Sequence, residues 1–134
     1  MPFAWKDYLG IARVHINETL DPGQEPCRAA RDRCAMSRAY YAALNSAQIF
    51  VESTWDSPSI GNGAAIHKGI PRWLKSQPKP EIREIGELLV RLRKKRERAD
   101  YDGAEFRRSF QEAYNSVRDS ESVFRSISNC VQSP

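Results

Sequence analysis

Apolar residues recur along most of this chain at spacings of three and four, the period of an amphipathic helix, and no segment alternates convincingly as a strand would. In the first segment, Phe3 to Leu20, the positions Trp5, Leu9, Ala12, Ile16 and Leu20 form one stripe. The second, Cys27 to Val51, carries Ala30, Cys34, Tyr41, Leu44 and Val51, flanked by Tyr40, Ala47 and Phe50, and is too long and alanine-rich for a strand. A short third segment, Ala64 to Gln77, is interrupted by Gly69 and Pro71. Ile70 precedes a proline and is biased away from helical angles, so two half-helices are expected there. In the fourth segment Ile82, Ile85, Leu89 and Leu92 recur after Pro80 and Glu81, residues suited to a first helical turn. The last carries Phe106, Phe110, Ala113, Val117, Phe124, Ile127 and Val131, opened by Asp102 and Glu105 in a capping-box spacing. Glycine and proline cluster between these segments, at Asp21-Pro22-Gly23 with Pro26, at Pro58 to Gly63, at Pro78 and Pro80, and at Asp102-Gly103. The pattern predicts an all-α, up-and-down bundle of four to five helices.

Composition fits that reading. The chain has 134 residues, 40% hydrophobic and 28% charged, enough apolar material for one domain with its own core. Residues 1–134 are therefore expected to form a single domain that needs no metal or disulfide staple. No run of eighteen apolar residues is present, so no membrane partner is expected. The N-terminus, MPFAWKDYLG, lacks the basic-then-apolar order of a secretory signal. Cys27, Cys34 and Cys130 make no CxxC pair, and an odd count cannot pair fully within one chain. Cys27 and Cys34, seven apart, are expected to share a helix face as buried, inert thiols in a reducing cytoplasm.

Charge is unevenly placed. The net is +4, yet the stretch 91–98, RLRKKRER, alone carries +5 and leaves the remainder at −1. Such a block either covers a solvated helix face or tracks phosphates. Helix phase bears on the choice. The fourth stripe, continued past Leu92, reaches Arg96, whereas Lys94, Lys95 and Arg98 fall on other faces. A guanidinium at a core position needs an acceptor. Asp100 at i+4 offers a structural ion pair, and a cleft that admits phosphate is the other reading. Tyr40 and Tyr41 point about 100° apart on a helix. Tyr41 is expected to pack and Tyr40 to line a groove, with Arg38 beside them facing groove or solvent. His15 reads as structural. His67, in the glycine-bearing segment NGAAIHKGIP, is a candidate acid or base where backbone can approach a ligand. No glycine-rich phosphate loop, GxSxG, HExxH or zinc-spaced Cys/His cluster occurs, so neither cofactor nor metal is expected.

Three pieces of the sequence resemble a HEPN domain. They are Ser37-Arg38-Ala39-Tyr40-Tyr41-Ala42-Ala43 on the second helix, His67 after a loop, and Arg96-Glu97-Arg98-Ala99-Asp100-Tyr101-Asp102 ending the fourth. The similarity is greatest to small stand-alone prokaryotic HEPN proteins with an ADYD-type ending, and it covers nearly the whole chain in motif order and spacing. It implies a bundle of four or five helices, commonly a homodimer whose cleft gathers polar residues from both subunits. Many members are metal-independent RNases, often toxins paired with a minimal nucleotidyltransferase antitoxin. Others bind nucleotides or RNA without cleaving. The nuclease signature is an arginine followed, after four to six residues, by histidine. Here Arg96 matches, but the position five residues on is Tyr101, whose pKa of about 10 makes a poor base. The tyrosine that antitoxins of related systems modify would fall at Gly103.

The leading expectation is thus an RNA- or nucleotide-binding HEPN protein of a toxin–antitoxin or defence pair. Arg96, His67, Asp100 and Tyr101 would form its cleft, with Arg38 and Tyr40 nearby and Lys94, Lys95 and Arg98 as the electrostatic approach. The alternatives are an active metal-independent endoribonuclease, with His67 standing in for the missing histidine beside Arg96, and a non-catalytic protein-interaction module.

Overall fold

A computed structural model describes the backbone of residues 4–17, 25–101 and 109–132; the side chains of residues 17, 25–29, 99–101, 109 and 132 lie outside the description. The helices are α1 (Trp5–Asn17), α2 (Glu25–Thr54), α3 (Ile66–Lys75), α4 (Pro80–Tyr101) and α5 (Ser109–Gln132), with a 3₁₀ turn at Gly63–Ala65 leading into α3. Among the described residues there is no strand. The all-α bundle follows from the period of the apolar positions. The Asp102–Glu105 capping box, Phe106, Leu20 and the first proline-glycine cluster fall outside the described residues.

The 30-residue helix α2 is the spine, packing on α1, α5 and α4 and more lightly on α3. Its alanines 35, 39, 42, 43 and 47 are wholly buried. Alanine sustains the helix at no side-chain entropy cost and lets neighbouring helices come close. Two apolar clusters share this spine. Leu9, Ala12 and Ile16 of α1 pack with Met36 and Ala39 of α2 and with Ala113 and Val117 of α5. Farther along, Tyr40, Leu44, Phe50 and Val51 pack with Ile70 and Leu74 of α3, Ile85, Leu89 and Leu92 of α4, and Val123 of α5. Between the clusters, the buried Ser120 hydroxyl of α5 donates to the Ala39 carbonyl at 2.8 Å, fixing α5 along α2.

The first half of α2 is rotated from its expected phase. Ala30 and Cys34 are exposed, while Ala35, Met36 and Ala39 take the buried side. The cause is that α2 is covered by α1 and α5 at one end and by α3 and α4 at the other, so no single stripe runs its length. The reading of buried thiols is corrected accordingly: Cys34 is exposed and Cys130 half-buried, and the Cys27 side chain is outside the description.

The expected break at Ile70 is also absent, since α3 runs unbroken through Pro71. Proline there forfeits one helical bond, to the His67 carbonyl. Complete burial of Ile70 and Leu74 offsets it. Two glycines set where α3 lies. A Cβ on Gly69 would fall within 1.9 Å of the Ile60 carbonyl oxygen, so only glycine lets the preceding loop cross the helix there. On α4, a Cβ at Gly86 would stand 2.8 Å from the Pro71 carbonyl oxygen, so α3 and α4 approach backbone to backbone at that level. The turn between them is short. The Lys79 carbonyl accepts from the Ile82 and Arg83 amides, and the Arg83 guanidinium donates to the Pro78 carbonyl at 3.0 Å.

Gly69→Ala is expected to destabilise the fold by ~3 kcal/mol, because the clash is with backbone that cannot swing aside. Urea denaturation at constant pH measures this, and an unchanged midpoint would show that the loop yields freely.

Candidate functional site

Helices α3 and α4 present facing polar stripes. On α3, His67, Lys68, Pro71 and Arg72 share one side through their spacing of four. On α4, Val90, Arg93, Lys94 and Glu97 recur at three, four and seven. Together they line a cleft of about 380 Å³. Among the described residues, four basic side chains and a histidine therefore face a single carboxylate. That carboxylate is engaged, since Arg93 Nε lies 3.0 Å from Glu97 Oε1. The pair is an i,i+4 contact with both side chains partly in water, worth roughly 0.3–0.5 kcal/mol, so an anion can draw Arg93 away at little cost.

Behind the cleft stands an aromatic pair. Tyr40 is 1% exposed, and its hydroxyl meets His67 Nδ1 at 2.6 Å. The two rings stack with 5.7 Å between centroids, and Tyr41 meets the imidazole edge-on at 6.0 Å. The Arg96 guanidinium carbon sits 5.0 Å from the Tyr41 centroid and 5.6 Å from that of Tyr40, within cation–π range. The inward arginine of α4 is thus half-buried on the two tyrosines that hold His67, and both expected site residues belong to one cluster. The roles of the tyrosines are the reverse of those expected. Tyr40 is the core residue and Tyr41 the half-buried one, because Tyr40 points into the seam beneath α3 and α4.

The cluster's protonation follows from its surroundings. Burial pushes the Tyr40 phenol up to about 12, against the opposing pull of the Arg93 and Arg96 charges. Burial also lowers the His67 pKa from its usual value, and Arg93 and Arg96 lower it further while Glu97 opposes them. At neutral pH both groups are uncharged. A phenol is the better acid and imidazole nitrogen the better base, and 2.6 Å suits an O–H donor better than an N–H donor. The hydrogen-bond chemistry therefore assigns Tyr40 as donor to Nδ1, with the imidazole proton on Nε2. His67 is left with an N–H to offer a ligand and no free basic nitrogen. The arrangement can hold an anion, and it is poorly disposed to abstract a proton.

Comparison with protein-family models, curated proteins and solved structures found no match. The residues themselves carry the functional argument.

The other expected site residues are dispersed. Lys94 lines the cleft. Lys95 is turned to the opposite side of α4, where its ammonium lies 3.1 Å from Asp119 of α5, a carboxylate that Arg91 also clasps through two bonds of 2.9 and 2.7 Å. Arg98 is exposed. Arg38 is half-buried one turn before Tyr41, and its Nε is buried with no hydrogen-bond acceptor among the described residues. The Asp100 and Tyr101 side chains are outside the described residues, so the expected Arg96–Asp100 pair is too. Sequence reasoning missed Lys68, Arg72, Arg93 and Glu97 as cleft residues. Their signal was present as i,i+4 pairs, Lys68 with Arg72 and Arg93 with Glu97, in register with His67 and Val90. Among the described residues no group of three or more His, Cys, Asp or Glu side chains is placed to hold a metal ion, and no helix is long and apolar enough to cross a membrane.

Two outcomes follow for the cluster. The unfolded chain takes up a proton on His67 near pH 6.5, above the folded value, so the unfolded state binds more protons in that window. The stability due to His67 is therefore complete above about pH 6.5 and is lost as pH falls through the folded pKa. Melting temperatures recorded between about pH 7 and 5 should fall more steeply for the wild type than for His67→Gln. Separately, Tyr40→Phe should cost about 1 kcal/mol and release the tautomer. Nitrogen-15 NMR should show protonated Nε2 in the wild type and a mixture of tautomers in the variant.

Proposed function

We propose that this protein is a HEPN-like helical domain that binds RNA or nucleotide through phosphate in the cleft between α3 and α4. The observation that carries the proposal is the convergence of Lys68, Arg72, Arg93, Lys94 and a neutral His67 on one concavity that has, among the described residues, one carboxylate, already paired. Cations that converge on a concavity repel one another until an anion enters, and phosphate accepts hydrogen bonds from guanidinium, ammonium and imidazole alike. The resemblance of SRAYYAA and RERADYD to HEPN sequences supports the same reading, because both motifs contribute to the cluster, through Tyr40, Tyr41 and Arg96. A homodimer and a minimal nucleotidyltransferase antitoxin as partner belong to this proposal on the strength of that resemblance.

Binding is favoured over cleavage by the same chemistry. Attack by a ribose 2′-hydroxyl needs a base, an acid and a cation for the phosphorane. Arg96 and Arg93 supply the cation, whereas the Nδ1 of His67 is occupied by Tyr40 and its basicity is depressed. Incubation of structured RNA with the protein, without metal, is expected to leave the RNA at full length.

Fluorescence anisotropy with a short single-stranded RNA tests the proposal. Raising salt from about 50 to 200 mM should weaken binding roughly 20- to 50-fold if three or four phosphate contacts are made. Arg72→Ala and Lys94→Ala should each weaken binding and reduce the salt slope, while Lys95→Ala, on the far side of α4, should change neither. Affinity independent of salt, or equal losses at Lys94 and Lys95, would overturn it.

A further inference from the structure

We infer that the cleft receives a phosphate monoester, the terminal phosphate of a nucleotide or of an RNA end, in preference to the internal diester of a passing strand; this rests on the phosphate-binding reading above. The first reason is shape. Pro71 both lines the cleft and abuts Gly86, a level at which the backbones of α3 and α4 leave no room for a Cβ. The four-residue turn 76–79 joins the helices beyond that contact. The cleft is therefore bounded at one end where Gly86 meets Pro71, and among the described residues its lining runs from there to His67 and Glu97. A polynucleotide that continues on both sides of its phosphate needs an exit at each end. A terminal group needs only an entrance.

The second reason is charge. A monoester carries close to two negative charges at neutral pH and three strong acceptor oxygens, against one charge and two free oxygens for a diester. Among the described residues the wall offers Lys68, Arg72, Arg93 and Lys94 as cations and His67 as a neutral donor, with Glu97 as the one opposing carboxylate. Each added ligand charge interacts with all of these cations at once. A dianion with three acceptor oxygens engages more of these donors and charges than a diester can. Pro71 and Val90 add an apolar strip to the wall, which suits an organic phosphate better than the free inorganic ion.

The test compares matched ligands on the wild-type protein by calorimetry. They are an RNA oligonucleotide with a 5′-phosphate, the same with a 3′-phosphate, the same with hydroxyl at both ends, and a nucleoside monophosphate against its nucleoside. At least one phosphorylated RNA end is expected to bind ten-fold or more tighter than the hydroxyl-ended RNA if the source is a chain end. The nucleoside monophosphate should match that affinity if the source is a free nucleotide. Arg72→Ala and Lys94→Ala, checked for unchanged melting temperature, should bring phosphorylated and unphosphorylated ligands to within about two-fold, and Lys95→Ala should leave the preference intact. Salt-sensitive binding that is equal for phosphorylated and hydroxyl-ended RNA would overturn this inference and leave RNA binding standing. Absence of binding by every ligand would overturn both.

Discussion

A tyrosine that is 1% exposed cannot keep its hydroxyl without a partner at low cost, and in this protein the partner comes from a different helix. The bond from the Tyr40 hydroxyl to His67 Nδ1 ties the spine helix to the rim of the cleft. It is also what makes the imidazole a directed donor. With Nδ1 occupied, the remaining ring proton sits on Nε2, and neighbouring Arg93 and Arg96 keep the ring neutral. Core packing and ligand chemistry thus meet in one contact.

Around that contact, helix phase sorts the basic run of α4 into separate duties. Arg93 and Lys94 face the cleft, Arg96 lies on the tyrosines, and Arg91 and Lys95 clasp Asp119 of α5. The Lys95 pair is well shielded, with side-chain exposures of 11% and 13%, and serves to hold α4 against α5. Six cations over eight residues therefore do not act as one patch. Arg93 and Lys94 line the cleft against α3, whereas Arg91 and Lys95 line a separate concavity against α5 that contains the Asp119 carboxylate they clasp. The engagement of Arg93 with Glu97 leaves the free cleft less charged than its list of lysines and arginines implies, and it lets the site exchange an internal carboxylate for a ligand anion.

The proposed HEPN-like reading does not require catalysis. Under that proposal the place of the nucleases' signature histidine would fall at Tyr101, and the imidazole beside the inward arginine has its basic nitrogen committed to a buried phenol. What remains is a set of donors with no proton acceptor of suitable strength among the described groups of the cluster. Such a set fits the proposed role of holding a phosphoryl group.

The helices, their order and the inward phase of Arg96 were legible in the chain, because apolar period, proline and glycine act locally and need no knowledge of neighbours. The same local information could not say which helix covers which face. It misplaced the start of α2, whose covering helices change along its length, and it exchanged the roles of Tyr40 and Tyr41, which differ only in what lies beyond them. His67 was recognisable as a candidate, but its bond to Tyr40, 27 residues away, required α3 to be docked. That docking is set by the backbone approach of Ile60 at Gly69 and of Pro71 at Gly86. A sequence fixes the angles between side chains on one helix; the height and rotation at which two helices meet depend on all the contacts made together, and those decided the cleft.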